Sequence, residues 1–595
     1  MPVLRPAVVL LAAVLSLSCT GEQGETNERS APPAGSDGQE TRRAGDGWRA
    51  AACSLPSRYA RLIDRGSHET RSPDLMVVPR APNFFGTFRV TTHSGPWRYL
   101  QEVPLVLYGP GFVRAQGALE LDREVTVADV APTLAELLGV DWPENGGGQA
   151  LHEALVPPAE RPEPPRMILV IVWDGGGWNV LRQWPDAWPN LERAIEGGTS
   201  ITGADVGSSP SVTPAIHSTL GTGTWPREHG IVDLRHRRQD ELVSAFTENR
   251  ADDLEAPTLA DIYDPTTGNR AQVGMLGAYA WHLGMIGHGA SFPEGDEDIV
   301  VMGNGSADDI YTNDALYSLP SYLADVPGVD EDVRTTDGED GRLDEEWFGN
   351  PVLSSPDKWV DTPVQIRYQT RQLTTLFERE GFGRDEVGDL FYVNYKQLDR
   401  AGHIYNMVNE EVHSALRATD DQLGQLMEFM DERVGEDQWV VAVTADHGQT
   451  PDAQSVGAWP IDIEKVKADA AEHFGMAVDD LFQAARVTGF WLDGASMEEA
   501  GVEVDDVASW LIRYRIGDNV TPELEVPAQY EDRMNERLFH AAFPKSAMSE
   551  VLACTRNNRG ESRYERPSGS PGRERWSCSR CDRRAEESVL CAKCF

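Results

Sequence analysis

The clearest hydrophobic pattern in the chain is a set of three short, uninterrupted apolar runs. Residues 167–173 read MILVIVW, residues 390–395 read LFYVNY and residues 438–444 read QWVVAVT. Runs of this length and β-branched content predict strands that are buried on both faces, as in a parallel sheet. The sequence therefore predicts an α/β fold, with a mostly parallel central sheet flanked by helices and with insertions.

Metal-ligating residue types follow each of these predicted strands. Asp174 and three glycines follow the first strand, Asp399 and His403 the second, and Asp446 and His447 the third. The carboxyl ends of strands are the usual place for a site in an open α/β sheet. Asp and His together suit zinc or manganese. One such Asp alone is better explained as a helix cap, but three strand ends of this kind predict a metal site.

A candidate nucleophile precedes a predicted helix. Thr213 stands before Pro214, and the following AIHSTLGTG has helical spacing up to Gly223. Proline is favoured in the first helical turn, and a helix N-terminus stabilises negative charge. Taken alone, Thr213 fits an ordinary N-cap equally well.

Together these motifs resemble the alkaline phosphatase superfamily, most closely its phosphodiesterase/nucleotide pyrophosphatase branch. The family's T-G-x-x-P-x-x-H-G segment matches residues 222–230, and its D-x-x-x-H and D-H-G motifs match the second and third strand ends. The resemblance implies hydrolysis through a covalent phosphothreonine on Thr213, with two Zn²⁺ ions (or Mn²⁺). It implies that one metal is held by Asp174, Thr213, Asp446 and His447, and the other by Asp399, His403 and His93.

The position of His93 implies an altered order of segments. The family carries its last histidine near the C-terminus, whereas the matching segment here, residues 90–112, lies upstream. Residues 127–140 match the family's closing helix. The chain therefore resembles a circular permutation in which residues 51–155 are the family's C-terminal part, 156–166 a linker, and 167–554 the main metal-binding domain. Cys53 and Cys554 mark the ends that would have joined. The alternative is a gene rearrangement or an assembly error, whose product need not fold.

One family position is changed. The nucleotide pyrophosphatases carry an Asn 21 residues after the nucleophile, and this chain has Leu234, which cannot donate a hydrogen bond. Arg235 and His236 are the predicted substitutes for contact with the phosphoryl oxygens. The choice between monoester and diester therefore stays open. Residues 250–385 carry no motif and are predicted to be insertions around the substrate pocket, and residues 455–545 are predicted to form a cap.

Composition and charge restrict the partners. The formal net charge is −43, from 96 acidic and 53 basic residues. Such a surface repels phosphate backbones, which argues against nucleic-acid binding by the main body. We expect a small phosphate-ester substrate instead. The sequence does not indicate whether the protein is a monomer or an oligomer.

The N-terminus predicts export. Residues 1–19 contain a short apolar stretch typical of a signal peptide, and residues 20–50 are polar and are predicted to be a disordered linker. Cys19 is placed for lipidation, and the alternative is cleavage without a lipid. The expected location is the periplasm or the cell surface, with membrane contact only through that anchor.

The C-terminal tail, residues 555–595, has ten basic and six acidic residues. Its C-x2-C-x9-C-x2-C spacing resembles a short zinc ribbon that would hold a third, structural zinc. Two disulfides, or a frameshifted or recombined end, are the alternatives. The cysteines concerned are Cys578, Cys581, Cys591 and Cys594.

Two classes of function follow. The first is an exported two-metal phosphoesterase that acts on phosphodiesters or phosphomonoesters. The second is a non-catalytic metal- or phosphate-binding descendant of the same fold. The complete set of ligand positions favours the enzyme.

Overall fold

A nine-stranded sheet forms the centre of the computed structural model, which describes residues 47–143, 146–303 and 309–558. The strands in chain order are β1 Leu75–Pro79, β2 Phe84–Phe85, β3 Leu105–Tyr108, β4 Gly117–Leu119, β5 Met167–Trp173, β6 Thr199–Ile201, β7 Arg235–Arg238, β8 Glu241–Ser244, β9 Val273–Gly277, β10 Asp298–Met302, β11 Tyr317–Ser318, β12 Asp389–Tyr395, β13 Trp439–Thr444, β14 Pro460–Ile461, β15 Phe482–Arg486, β16 Gly489–Leu492 and β17 Phe539–Pro544.

The central sheet has the order β11-β10-β9-β12-β5-β13-β3-β6-β4. Strand β5 lies between β12 and β13 and is parallel to both, with Met167 opposite Asp389 and Trp439. Only β3 is antiparallel to its neighbours among the described pairs of this sheet. The predicted α/β class and mostly parallel sheet are confirmed.

Helices cover both faces of this sheet. Alternate side chains of β5 point to opposite sides, so Ile168, Val170 and Val172 join one hydrophobic core while Leu169 and Ile171 join the other. The described α-helices are Gly47–Ala52, Ser57–Arg65, Arg98–Gln101, Val130–Leu138, Trp178–Gln183, Pro189–Gly197, Thr213–Thr222, Pro226–His229, Leu259–Thr267, Leu283–Ile286, Val329–Asp337, Pro363–Glu380, Gln397–Tyr405, Glu410–Arg433, Ala453–Val456, Ile463–Phe474, Val478–Leu481, Gly494–Ala500, Val504–Leu511 and Met548–Thr555.

The upstream part of the chain is built into both main sheets. Strand β3 lies between β13 and β6 in the central sheet. Strand β1 lies between β16 and β17 in a second, four-stranded sheet whose other strands come from residues 482–544. The segment predicted to be a cap therefore pairs with residues from the start of the described chain. A disulfide joins Cys53 to Cys554, 501 residues apart.

Two boundaries differ from the sequence prediction. The first described helix begins at Gly47, inside the segment predicted to be a linker up to residue 50. Residues 250–385 were predicted to be insertions, but they supply β9, β10 and β11 of the central sheet. Their apolar runs, such as VGMLG at 273–277, are short and do not end in metal-ligating residue types, so nothing in the pattern marks them as part of the sheet.

The predicted signal peptide, most of the predicted linker, Cys19 and the four tail cysteines lie outside the described residues. Within the described ranges, no helix is both long and apolar enough to cross a bilayer.

Candidate metal centre

The candidate site lies at the carboxyl ends of three adjacent strands. Asp174 directly follows β5, and Asp446 and His447 follow β13. The helix Gln397–Tyr405 begins two residues after β12 and carries Asp399 and His403 one turn apart. Because parallel strands end at the same edge of the sheet, residues from distant parts of the chain come together here.

Glycines allow the connecting loops to pack closely. Gly175 has a φ of +71°, and a Cβ there would lie 2.9 Å from the Cα of Asp399. A Cβ at Gly177 would lie 2.6 Å from the Cα of Gly448. Larger residues at these positions would push the strand ends apart.

One group of ligand-type side chains consists of His93, Asp399 and His403, which we call the His93 cluster. The Nε2 atoms of His403 and His93 lie 3.2 and 3.7 Å from Oδ1 of Asp399. Nδ1 of His93 is 3.0 Å from the carbonyl oxygen of Ser211, and Nδ1 of His403 is 3.1 Å from that of Thr91. These bonds to the backbone hold the rings through Nδ1, so both Nε2 atoms face Asp399 and are the atoms available to a metal. This donor set and its supporting carbonyls fit zinc.

The second group, the Asp446 cluster, consists of Asp174, Asp446 and His447. Nε2 of His447 lies 3.4 Å from Oδ2 of Asp446 and 3.7 Å from Oδ1 of Asp174. Nδ1 of His447 is 3.0 Å from the carbonyl oxygen of Gly448. His447 Nε2 and Asp446 Oδ2 are buried and have no hydrogen-bond partner in the described chain. Buried acceptors left unpaired in this way fit a bound cation.

The two clusters adjoin each other. The imidazole rings of His93 and His447 are stacked, with 3.6 Å between their centroids and 6° between their planes. His93, from the upstream segment, therefore lies at the strand ends that carry the other ligand-type residues.

Thr213 is the first residue of the helix Thr213–Thr222 and is only 3% exposed. Its side chain faces the second cluster, since Nζ of Lys396 donates both to Oγ1 of Thr213 (2.9 Å) and to Oδ1 of Asp174 (2.7 Å). The amide groups of the first helical turn favour negative charge at this point.

Lys396 is the main residue that the sequence analysis missed. Its Nζ also lies 2.8 Å from Oδ2 of Asp399, so one buried ammonium group contacts both clusters and the candidate nucleophile. A signal was present in the sequence, because Lys396 is one of only six lysines and directly follows a buried strand.

The electrostatics of the site reflect three carboxylates and one ammonium in a buried space. Burial and the nearby Asp446 raise the pKa of Asp174 well above its usual value, and burial raises the pKa of Asp446 to about 6. Burial would also raise the pKa of Asp399, but Lys396 and His403 outweigh it and hold the pKa well below normal. Burial lowers the pKa of His447 to about 3, so its ring is neutral at pH 7. The carboxylates are crowded around a single ammonium group, and a bound cation would lower the raised pKa values of Asp174 and Asp446.

Two further histidines lie beside this centre. Nδ1 of His217 and Nδ1 of His282 are 3.0 Å apart, and Nε2 of His217 is 3.7 Å from Oδ2 of Asp446. Both Nε2 atoms are buried without a described hydrogen-bond partner, and the pair can form a ligand group with Asp174. His217 follows Thr213 by one helical turn, and this spacing is the sequence signal that could have placed His217 beside the site.

The two predicted phosphate-binding residues have their contacts elsewhere. The ring of His236 is buried, with Nε2 3.3 Å from Asp253, and Arg235 is exposed on the hairpin strand β7. The structure gives neither a contact with the residues of the two clusters or with Thr213, within the described chain. The prediction rested on their distance along the sequence from Thr213. The chain forms the hairpin of β7 and β8 there, and the hairpin leads these side chains to other contacts. Lys396 is the cationic group that lies in the site.

Comparisons with known proteins identify the same part of the chain. The family model for type I phosphodiesterase/nucleotide pyrophosphatase matches residues 168–508. The alkaline phosphatase PafA of Elizabethkingia meningoseptica is 25% identical over 202 residues, which are 32% of this chain and 35% of that protein. The venom phosphodiesterase CdcPDE of Crotalus durissus collilineatus is 24% identical over 284 residues, 47% of this chain and 26% of that protein. The chain thus spans about a third and a quarter of the lengths of these two relatives.

A third relative and a solved structure are also similar. A protein of Myroides odoratus named calcium-transporting ATPase is 21% identical over 418 residues, 60% of this chain and 74% of that protein. The crystal structure of wild-type alkaline phosphatase PafA matches with a TM-score of 0.46 at 15% identity. The match covers 64% of this chain and 85% of the PafA chain.

Proposed function

The chain belongs to the type I phosphodiesterase/nucleotide pyrophosphatase family, and on that basis we propose that it is an exported, metal-dependent hydrolase of phosphate esters that uses Thr213 as its nucleophile. The observation that carries the proposal is that one ammonium group, that of Lys396, contacts Thr213 and an aspartate of each cluster. Oγ1 of Thr213 and Oδ1 of Asp174 share this donor, and Asp174 in turn faces His447.

Each cluster has the composition of a metal site. The His93 cluster would hold one Zn²⁺, and the Asp446 cluster together with Thr213 would hold the other. When bound, such ions activate a hydroxyl group and stabilise the charge that develops on the phosphoryl and leaving oxygens. Mn²⁺ suits the same Asp and His ligands.

The protein's own groups prepare the attack. Lys396 fixes the position of Oγ1 of Thr213 and stabilises negative charge on it, and the amide groups of the first helical turn act in the same direction. Oγ1 gives up its proton and attacks phosphorus, the bond from phosphorus to the leaving oxygen breaks, and that oxygen takes up a proton, so that a covalent phosphothreonine and a free alcohol result. Water then cleaves the phosphothreonine and restores the hydroxyl group.

The substrate enters from the side of His403. Its side chain is 39% exposed, whereas those of Asp399 and Lys396 are 5% exposed and those of Asp174 and Asp446 are fully buried. A small phosphate ester can reach the site from this side, which suits the proposed substrate class.

We also propose that the order of segments is a circular permutation that folds. Strand β3 and His93 come from the upstream segment and complete the central sheet and the site, and the disulfide between Cys53 and Cys554 holds the two ends together. Disulfides persist in oxidising compartments, which supports export.

The test is hydrolysis of 4-nitrophenyl phosphate and bis(4-nitrophenyl) phosphate by the zinc-loaded full chain. Replacing Thr213 by Ala is expected to lower the rate by on the order of a thousandfold or more, because the nucleophile is lost. Thr213→Ser keeps the hydroxyl group and should retain part of the rate. The ratio of the two substrate rates decides between phosphatase and phosphodiesterase.

Equal rates for the wild type and Thr213→Ala would refute the nucleophile. If the folded, zinc-loaded protein cleaves neither ester above the Thr213→Ala level, the non-catalytic metal- or phosphate-binding protein becomes the better description.

A further inference from the structure

The ammonium group of Lys396 lies among the residues proposed to hold two metals. Its three contacts, to Asp174, Asp399 and Thr213, are 2.7 to 2.9 Å long, and its side chain is 5% exposed. A cation at this place affects which ligand atoms remain free for a metal.

The His93 cluster keeps all three of its ligand atoms. Lys396 contacts Oδ2 of Asp399, whereas the two histidines face Oδ1. Both Nδ1 atoms are bonded to backbone carbonyls, so both Nε2 atoms can accept a metal. This cluster can bind a divalent ion while Lys396 stays in place.

The Asp446 cluster does not keep its full set. Both oxygens of Asp174 already accept a hydrogen bond. Oδ1 accepts from Nζ of Lys396, and Oδ2 accepts from Nδ2 of Asn394 at 3.0 Å. Oγ1 of Thr213 is also held by Lys396. Oδ2 of Asp446 and Nε2 of His447 remain as the free donors of this set. A metal here has to displace the ammonium group, share the oxygens of Asp174 and Thr213 with it at close range, or bind through two protein ligands.

The charges lead to the same result. In their ionised form the three aspartates carry three negative charges in a buried space, and Lys396 compensates one of them. One divalent ion in the His93 cluster compensates the other two, because a histidine that binds a metal through Nε2 and keeps its proton on Nδ1 is neutral. A second divalent ion would leave the resting site with two positive charges in excess.

We infer that Lys396 acts as a built-in cation that makes the two clusters unequal, so that the chain binds one zinc tightly in the His93 cluster and a second at the Asp446 cluster only weakly. This inference rests on the proposed metal-dependent function. Under this inference Lys396 is a positioning residue. It holds the side chains of Asp174 and Thr213 in position, as a tightly bound metal would otherwise do.

The test is the zinc stoichiometry and affinity of the full chain, measured by calorimetric titration and by metal analysis after desalting. All samples carry Cys591→Ser and Cys594→Ser, so that the tail cannot contribute a zinc. We expect one retained zinc per wild-type chain and a second site at least about a hundredfold weaker. Lys396→Met removes the charge at similar length and should give two retained zincs, with the second site strengthened about a hundredfold.

Two ligand variants assign the tight site and remain informative if Lys396→Met does not fold. In the wild-type background, His403→Ala should lose the retained zinc, whereas Asp446→Asn should keep it. Near-ultraviolet circular dichroism checks that each variant is folded. Two zincs of similar affinity in the wild type, or loss of the retained zinc in Asp446→Asn but not in His403→Ala, would overturn the inference while leaving the proposed function standing. The absence of zinc from both the wild type and a folded Lys396→Met variant would overturn the proposed function as well.

Discussion

The upstream segment should be as necessary for stability as the rest of the central sheet, and Leu107 provides the test. Leu107 lies on β3 opposite Ala442 of β13, is fully buried, and belongs to the hydrophobic core that also contains Leu134. Leu107→Ala removes about three methylene equivalents at about 0.8 kcal/mol each, and the cavity left behind adds to this cost. We expect the free energy of unfolding to fall by about 3 kcal/mol.

The assay is urea unfolding of the full chain, followed by tryptophan fluorescence and by circular dichroism. Leu107→Ala should lower the midpoint, keep the slope, and leave a single transition by both probes, because β3 lies within the same sheet as β5 and β13. The matched control is Leu343→Ala. Leu343 is 73% exposed, so this substitution should change the free energy of unfolding by less than about 0.5 kcal/mol. A cost below about 1 kcal/mol for Leu107→Ala, or an early transition limited to residues 47–155, would show that the upstream segment is not an integral part of the sheet.

Two other predictions concern the stability of the described fold. Burial raises the pKa of Asp389 from 3.8 to about 7, although the amides of Gly383 and Gln272 donate to its carboxylate, so the folded state keeps a proton that the unfolded state has released. The free energy of unfolding should therefore fall as the pH rises from about 4 to about 7, by up to about 4 kcal/mol from this group, and Asp389→Asn should remove that part of the slope in urea unfolding at pH 5 and pH 8; the same slope in both proteins would contradict the assignment. Cys53→Ser should lower the free energy of unfolding by about 2–4 kcal/mol, because it removes the disulfide to Cys554. The melting temperature of this variant should not respond to dithiothreitol. If the fully reduced wild type melts at the same temperature as the oxidised wild type, this prediction is wrong.

The strand-end residues could be predicted because their signal is local. A run of buried residues followed at once by Asp or His identifies both a strand and the place where it ends, as at Asp174 and Asp446. Strands β9 and β10 carry the same kind of apolar run without such an ending, and they were missed. Local patterns thus located the centre of the sheet and the site more reliably than the edge of the sheet.

His93 and Lys396 show two different limits of sequence reasoning. His93 lies 306 residues before Asp399, and no spacing rule connects them, so only the resemblance to a family motif placed it in the site. Lys396 lies three residues before Asp399 and was missed because a search for metal ligands considers Asp, His and Cys but not the cation that competes with the metal.

The number of bound metals is therefore not determined by the ligand residues alone. The seven positions that match the family would predict two metals in any chain that carries them. In this chain, Lys396 and Asn394 occupy both oxygens of Asp174, while Oδ1 of Asp399 faces two imidazoles that are held by backbone carbonyls. Which donor atoms stay free, and how much charge is already compensated, depend on side-chain placement at distances of 2.7 to 3.0 Å. One lysine among seven matching positions can thus change the metal content of the site while every ligand residue is present.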